Sequence, residues 1–193
     1  FRSKENGAGE MSSITDMNFI LSSGKRLILR TAMVKDASQI VRLMRDIVNE
    51  GPYTLAEPDE YRSTVRSEAN KIRKFKKAKG KIYLVAVCKS EITGFISFDN
   101  WDTRRTSHTG LFSIFIKKKM RGQGIGKILV KGMLDWAKEN PMIRKISLYV
   151  FSTNKDAIAL YKRLGFRKEG LFKRDMIIDG KFVDSVAMYN WIK

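Results

Sequence analysis

The segment Arg121-Gly122-Gln123-Gly124-Ile125-Gly126 places glycine at every second position, directly ahead of an apolar repeat formed by Ile125, Ile128, Leu129, Met133, Trp136 and Ala137. Glycine carries no Cβ, so such a loop turns tightly and its amides can approach a ligand closely. The first turn of a following helix adds unpaired N–H groups and the positive end of the helix dipole, which makes a diphosphate the natural guest. Two commoner phosphate loops are excluded. The Walker pattern requires Ser or Thr after Gly-Lys, whereas Ile128 follows Gly126-Lys127, and the glycine spacing also differs. The dinucleotide pattern GxGxxG fails because Lys127 stands where its last glycine belongs. Neither a nucleotide triphosphatase nor a Rossmann fold is supported.

The elements that must position this loop follow from periodicity. Arg26 to Ala32 reads as a first strand, and Asp36 offers an N-cap to a helix over Ala37–Asn49, whose apolar positions are Ile40, Leu43, Met44, Ile47 and Val48. Gly51-Pro52 stops it. Pro58 begins a second helix running to about Ala78 on Tyr61, Val65, Ala69, Ile72 and Phe75. Lys81–Cys88 and Ile92–Asp99 form a hairpin across Lys89-Ser90-Glu91, and a third strand of this group spans His108–Ile116. The helix after the glycine loop ends at Asn140-Pro141, and Lys145–Val150 alternates as a strand does. A helix over Asn154–Leu164 closes on Gly165, and two final strands flank Asp179-Gly180, a dipeptide favoured in two-residue hairpin turns. The order is strand, two helices, three strands, helix, strand, helix and a closing hairpin, which implies an α/β fold with a largely antiparallel mixed sheet flanked by helices.

With these elements in place, Arg121 to Gly126 resembles the R/Q-x-x-G-x-G/A signature of the GNAT N-acetyltransferase superfamily, and Asn154-Lys155-Asp156-Ala157-Ile158-Ala159-Leu160-Tyr161-Lys162-Arg163-Leu164-Gly165-Phe166 is similar to its N-x-x-A-x-x-L-Y-x-x-x-G-F block. The likeness in element order extends from Arg26 to Lys193, and Trp136-Ala137-Lys138 and Glu169-Gly170 look like a bacterial branch acting on small-molecule or peptide amines. The resemblance implies the GNAT fold, with the sheet splayed at the fourth strand, and acetyl-CoA as co-substrate without a metal. It implies that Ile114, Phe115 and Ile116 offer backbone groups to the pantetheine amides, and that Arg121, Gly122, Gln123, Gly124, Ile125 and Gly126 wrap the diphosphate. Asn154 would hold the pantetheine arm, a role compatible with capping its helix. Tyr161 would lie near the sulfur as general acid. The oxyanion would be met by a backbone N–H of the fourth strand, and the amine would attack directly without a covalent enzyme intermediate.

The general base is less well marked, because Gly110, Leu111 and Phe112 carry no titratable side chain where relatives often have Glu. His108 is the nearest candidate, since its intrinsic pKa suits the role and strand parity puts it on the face of Gly110 and Phe112. Asp99 and the acids of the loop Tyr53–Glu60, Glu57 and Asp59 among them, are its rivals and could also receive a cationic amine. Acids at a helix N-terminus equally suit the dipole. Cys88 reads as a small buried residue of a strand.

The 193 residues suit one domain over 11–193, with residues 1–10 read as a remnant before a natural start at Met11. No apolar run approaches a membrane span, and the single cysteine cannot form an internal disulfide, so a cytoplasmic protein is expected. The net charge of +18 attracts polyanions, but the lysines and arginines are scattered and no zinc-finger spacing or RNP motif accompanies them, which argues against a nucleic-acid partner. The reading is an N-acetyltransferase for a primary amine of a small molecule such as a polyamine, an amino acid or an amine-bearing antibiotic or toxin. Acetylation of a protein N-terminus or lysine, as on a ribosomal protein, is the alternative, followed by a non-catalytic basic nucleic-acid-binding protein. A homodimer is left open.

Overall fold

Apolar alternation along the chain resolves into strands β1 (Met17–Ile20), β2 (Arg26–Thr31), β3 (Ile82–Cys88), β4 (Glu91–Asn100), β5 (Thr109–Ile116), β6 (Lys145–Phe151), β7 (Arg167–Ile178) and β8 (Lys181–Trp191). The helices are α1 (Ala37–Glu50), α2 (Val65–Lys77), α3 (Ile125–Glu139) and α4 (Lys155–Arg163). This computed structural model describes residues 12–51 and 53–192, so the reading of residues 1–10 and of Met11 lies outside the described residues. The strands form one mixed sheet in the order β1-β2-β3-β4-β5-β6-β8-β7, in which every pair is antiparallel except β5 with β6. The α/β class and the largely antiparallel sheet therefore stand as the element order implies.

Both faces of the central strands are covered, which is why β3 reads as an unbroken apolar run and not as an alternation. Leu27, Leu29, Ile82, Leu84, Ile96 and Phe98 pack with Leu129, Met133 and Trp136 of α3 on one face. Tyr83, Val85 and Phe95 face the other way, toward Ile40, Leu43 and Ile47 of α1 and Ile72 and Phe75 of α2. The approach of α3 is close enough that a Cβ on Gly132 would lie 2.5 Å from Leu29 Cδ2. Among the described residues no helix is long and apolar enough to cross a membrane.

Four details differ from the sequence reading. An additional strand, β1, pairs Met17–Ile20 with Leu29–Arg26; its four residues are too few to show a period. The second helix starts at Val65 and not at Pro58, because Thr64 and Ser67 form a capping box in which the Thr64 side chain accepts from Ser67 N–H and the Ser67 hydroxyl accepts from Thr64 N–H. Tyr61 thus lies outside the helix. The strand read from His108 begins at Thr109. Asp36 occupies the N-cap position of α1, yet its carboxylate does not cap. It turns back to β2, accepting from Arg30 at 2.7 and 2.9 Å and from the Met33 N–H at 2.7 Å. The Asp179-Gly180 turn has positive φ at both residues (48° and 71°), as a two-residue hairpin turn of the favoured type demands.

Burial alone would raise the Asp36 carboxyl, but Arg30, the Met33 N–H and the Lys35 charge outweigh it and hold the group below its ordinary value. A carboxyl lowered on folding adds stability above the ordinary carboxylate range, and that stability is lost as pH falls through the folded value. Asp36→Asn should therefore lower unfolding stability by about 3 kcal/mol at neutral pH. In urea titrations the deficit should shrink below about pH 4; a deficit unchanged down to pH 2 would contradict the pairing.

Candidate active site

The strands that pair along their whole length elsewhere part company between β5 and β6. Along β4, β5 keeps register from Asn100↔Gly110 to Gly94↔Ile116. Against β6 it pairs only at Thr109↔Lys145, Gly110↔Ile146 and Leu111↔Ser147. Beyond Leu111 the two strands diverge, and β6 continues on β8 as far as Phe151↔Ser185. The facing edges, Phe112–Ile116 and Leu148–Phe151, thus lack a strand partner across the fork and present main-chain donors and acceptors to whatever enters it. The rings of Phe112, Tyr161 and Phe166 fill the crotch as a wedge, with centroids 5.6 to 5.8 Å apart.

Tyr161, on α4, is only 6% exposed. Its hydroxyl makes no hydrogen bond to a described residue and is not fully enclosed. Burial pushes its pKa up to about 12, which keeps the phenol protonated at any physiological pH.

The open end of β5 leads through Lys118–Met120 into the glycine loop. Gly122 (φ 75°) and Gly124 (φ 89°) both adopt left-handed backbone, and a Cβ at either would meet nothing within 4 Å. Conformation, not crowding, demands glycine there. Gly124 is the N-cap of α3 and makes no side-chain cap, which leaves the first-turn amides to a ligand at the positive end of the helix. The polar side chains of the loop hold it in place. Arg121 donates to Ile116 O (3.0 Å) and Glu50 (2.9 Å); Gln123 donates to Lys119 O (3.2 Å) and accepts from Ser23 (2.7 Å). What faces outward is the peptide. Ile114 and Ile116 pack toward the α3 core and Phe115 toward α1, so their contribution to the fork is main-chain only. Asn154 Oδ1 caps α4 by accepting from Ala157 N–H (3.2 Å), which leaves its Nδ2 donors free of that bond.

The structure does not bring His108 or Asp99 to the open fork. His108 precedes β5 at its closed end, and its carbonyl accepts from the N–H groups of Arg144 (2.8 Å) and Lys145 (3.1 Å). The reacting-side wedge begins four positions later, at Phe112. Asp99 pairs with Leu111, also where the strands are still joined, and its carboxylate is bound by the buried Lys81 ammonium, which donates to Asp102 and Asn100 O at 3.0 Å as well. Burial would lower the Lys81 pKa, but the two carboxylates raise it, so this clasp is ionic. Glu57 and Asp59 are exposed in a turn where Glu57 N–H donates to Glu60. The carboxylate engaged there is that of Glu60, while Glu57 and Asp59 remain exposed.

A candidate the sequence reading missed lies in β7, beside a cavity. A cavity of about 290 Å³ opens at the C-terminal end of β6, walled by Tyr149, Phe151, Phe172 and Met176 and roofed by Leu55 from the α1–α2 loop. Its polar lining is Asp175 and Ser185, whose hydroxyl donates to the Asp175 carboxylate. Phe151, Ser185 and Phe172 are cross-strand partners and therefore share one face, the one away from α3 and α4. Asp175 reaches it through a bulge: Phe172 pairs with Ser185 and Met176 with Val183, so Lys173, Arg174 and Asp175 stand opposite Asp184 alone, with Arg174 at φ 54°. The charged run Lys173-Arg174-Asp175 between the apolar pairs Leu171-Phe172 and Met176-Ile177 was the available signal. Two larger hollows, about 570 and 540 Å³, lie around Lys25 and Lys89 and around Lys145 and Trp191, outside the fork. Among the described residues no cluster of metal-ligating side chains occurs.

The Acetyltransferase (GNAT) family model matches residues 43–166. An L-amino acid N-acetyltransferase of Escherichia coli K12 is 30% identical over 105 residues, covering 54% of this chain and 65% of its own length. The chain thus spans somewhat less than two thirds of that relative. The crystal structure of an acetyltransferase of the GNAT family from Streptococcus pneumoniae superposes with a TM-score of 0.83 at 28% identity, covering 86% of this chain and 99% of the other. A phosphinothricin acetyltransferase from Sinorhizobium meliloti in complex with AcCoA shares the fold, with a TM-score of 0.73 at 23% identity and coverage of 90% and 89%.

The raised Tyr161 pKa has a direct readout. In the difference ultraviolet spectrum between the native protein and Tyr161→Phe, no tyrosinate band should appear at pH 10, and half-ionisation should come near pH 12. Half-ionisation near pH 10 would mean that the ring is not buried in the wedge.

Proposed function

This chain belongs to the GNAT acetyltransferase family, and from that premise we propose that it transfers the acetyl group of acetyl-CoA directly to a primary amine of a small molecule, with Tyr161 as proton donor. The observation that carries the reading is the packing of a protonated tyrosine against Phe112, where β5 parts from β6, next to strand edges that lack a strand partner and to the uncapped N-terminus of α3. The residues present fit the co-substrate part by part. Amides of Gly122 to Gly126 and the first turn of α3 suit a diphosphate. The β5 edge at Ile114–Ile116 suits the peptide-like amides of pantetheine, because a strand edge without a neighbouring strand accepts an extended chain as an added strand, with the Ile116 carbonyl already taken by Arg121. The Asn154 Nδ2 is free to donate to the same arm.

Acetyl-CoA supplies an activated thioester, whose acetyl carbon exchanges a C–S bond for a C–N bond while one proton leaves nitrogen and one reaches sulfur. Tyr161 holds the second proton at its hydroxyl, where burial keeps it, gives it to the leaving sulfur and is restored by the proton that nitrogen releases. A backbone N–H of the free β5 edge is available to the carbonyl oxygen as negative charge develops there. Holding both reactants across one fork converts a bimolecular encounter into an oriented one. A cavity of about 290 Å³ suits a small acceptor, and the E. coli relative acts on L-amino acids.

Coenzyme A release from acetyl-CoA over a panel of amines tests the reading; silence on every amine with acetyl-CoA bound would remove it. Gly124→Val should weaken acetyl-CoA binding at least about tenfold by calorimetry while the circular dichroism spectrum is retained, since the left-handed φ cannot be kept without strain. Tyr161→Phe should lower kcat about 100-fold, with acetyl-CoA affinity changed less than about twofold, because the hydroxyl acts on the leaving sulfur and not in binding. An unchanged kcat would make the tyrosine only a packing residue.

A further inference from the structure

The cavity beside Asp175 has a composition that selects among amines. Its walls are aromatic and apolar, and Tyr149 and Phe172 meet edge to face at 5.6 Å while Tyr53 closes on Phe151 at 5.8 Å. Among the lining residues Asp175 is the single ionisable group of acidic or basic type. The neighbouring cation is turned elsewhere: the Arg174 guanidinium lies 5.6 Å from the Phe182 ring, and Phe182 is not in the lining. One carboxylate amid aromatic walls is complementary to a cation carried on an apolar body, through charge and through the negative faces of the rings. It is the reverse of complementary to a carboxylate next to the amine, for which no lining cation is offered.

Resting on the acetyl-transfer reading above, we propose that Asp175 receives the ammonium end of the acceptor, and that the preferred acceptor is a primary amine with an aromatic or branched apolar body and no carboxylate beside the nitrogen. Ser185 fixes the carboxylate by donating to it, and the bulge of β7 carries it to the face shared by Phe151 and Phe172. Leu55 and Tyr53 come from the α1–α2 loop, so that loop contributes the apolar roof of the pocket and not the anion. An amino-acid acceptor would set its own carboxylate near Asp175. A polyamine would leave its remaining charges against apolar walls.

The test compares phenethylamine, phenylalanine and spermidine as acceptors for the full chain with acetyl-CoA, and measures phenethylamine binding by calorimetry in parallel. Phenethylamine should give a kcat/KM at least about tenfold above either competitor. Asp175→Asn, nearly isosteric and still able to accept from Ser185, should raise its KM at least about tenfold with acetyl-CoA affinity unchanged, and should abolish the preference over phenylalanine. Higher kcat/KM for phenylalanine or spermidine, or an unmoved KM in Asp175→Asn, would overturn the proposal while coenzyme A release on any amine still upheld acetyl transfer. Absence of turnover with phenethylamine binding that is lost in Asp175→Asn would uphold the pocket and overturn the transfer; absence of both would overturn both.

Discussion

A parallel pair that ends after three residues governs the rest of this molecule. Strand edges inside a folded protein are ordinarily paired or covered, because a main-chain N–H or C=O shut away from water without a partner is costly. Here β5 is fully bonded to β4 on one side and β6 to β8 on the other, so each has spent one edge and retains another. The wedge of Phe112, Tyr161 and Phe166 sits where the pairing stops, and its bulk is incompatible with the strands closing further. The same contact places the Tyr161 ring at the point where the fork begins.

The glycine loop depends on that fork for its position. Arg121 bonds the carbonyl of Ile116, the last residue of β5, and the Glu50 carboxylate at the end of α1, so the loop is tied both to the strand and to a helix on the opposite face. Its defining feature is conformational: two left-handed glycines leave open space where a Cβ would stand, while the Arg121 and Gln123 side chains are engaged with the protein. A loop built in this way offers its amides without reorganisation, which is what gives fixed dipoles their advantage over solvent.

The sheet also divides the work between its faces. Leu148 and Val150 of β6 belong to the core under α3 and α4, the side of Tyr161 and the loop, whereas Tyr149 and Phe151 line the cavity on the other side, which Leu55 of the α1–α2 loop also lines. Period-two alternation thus sends neighbouring residues of one strand to opposite faces of the sheet. The bulge in β7 breaks that alternation at one place, and the break is what delivers Asp175 to the aromatic face.

Local chemistry explains which features the sequence determined by itself. Left-handed glycines at Gly122 and Gly124, the Asn154 cap, the Asp179-Gly180 turn and the helical and strand periods all depend on residues within a few positions of one another, so their types and spacing carry the information. Missed local signals were short ones, such as β1 and the Thr64–Ser67 cap that delays α2. Tertiary structure decided what lies over each face. Periodicity reports that a strand has an apolar side but not which element covers it, so the sequence could not say that Asp36 would turn from its helix to Arg30, that Lys81 would engage Asp99, or that β8 would slip between β6 and β7 and bring Ser185 to Asp175. Each pairing joins side chains on two different elements, so no helical or strand period reports it, and it forms only when those elements meet.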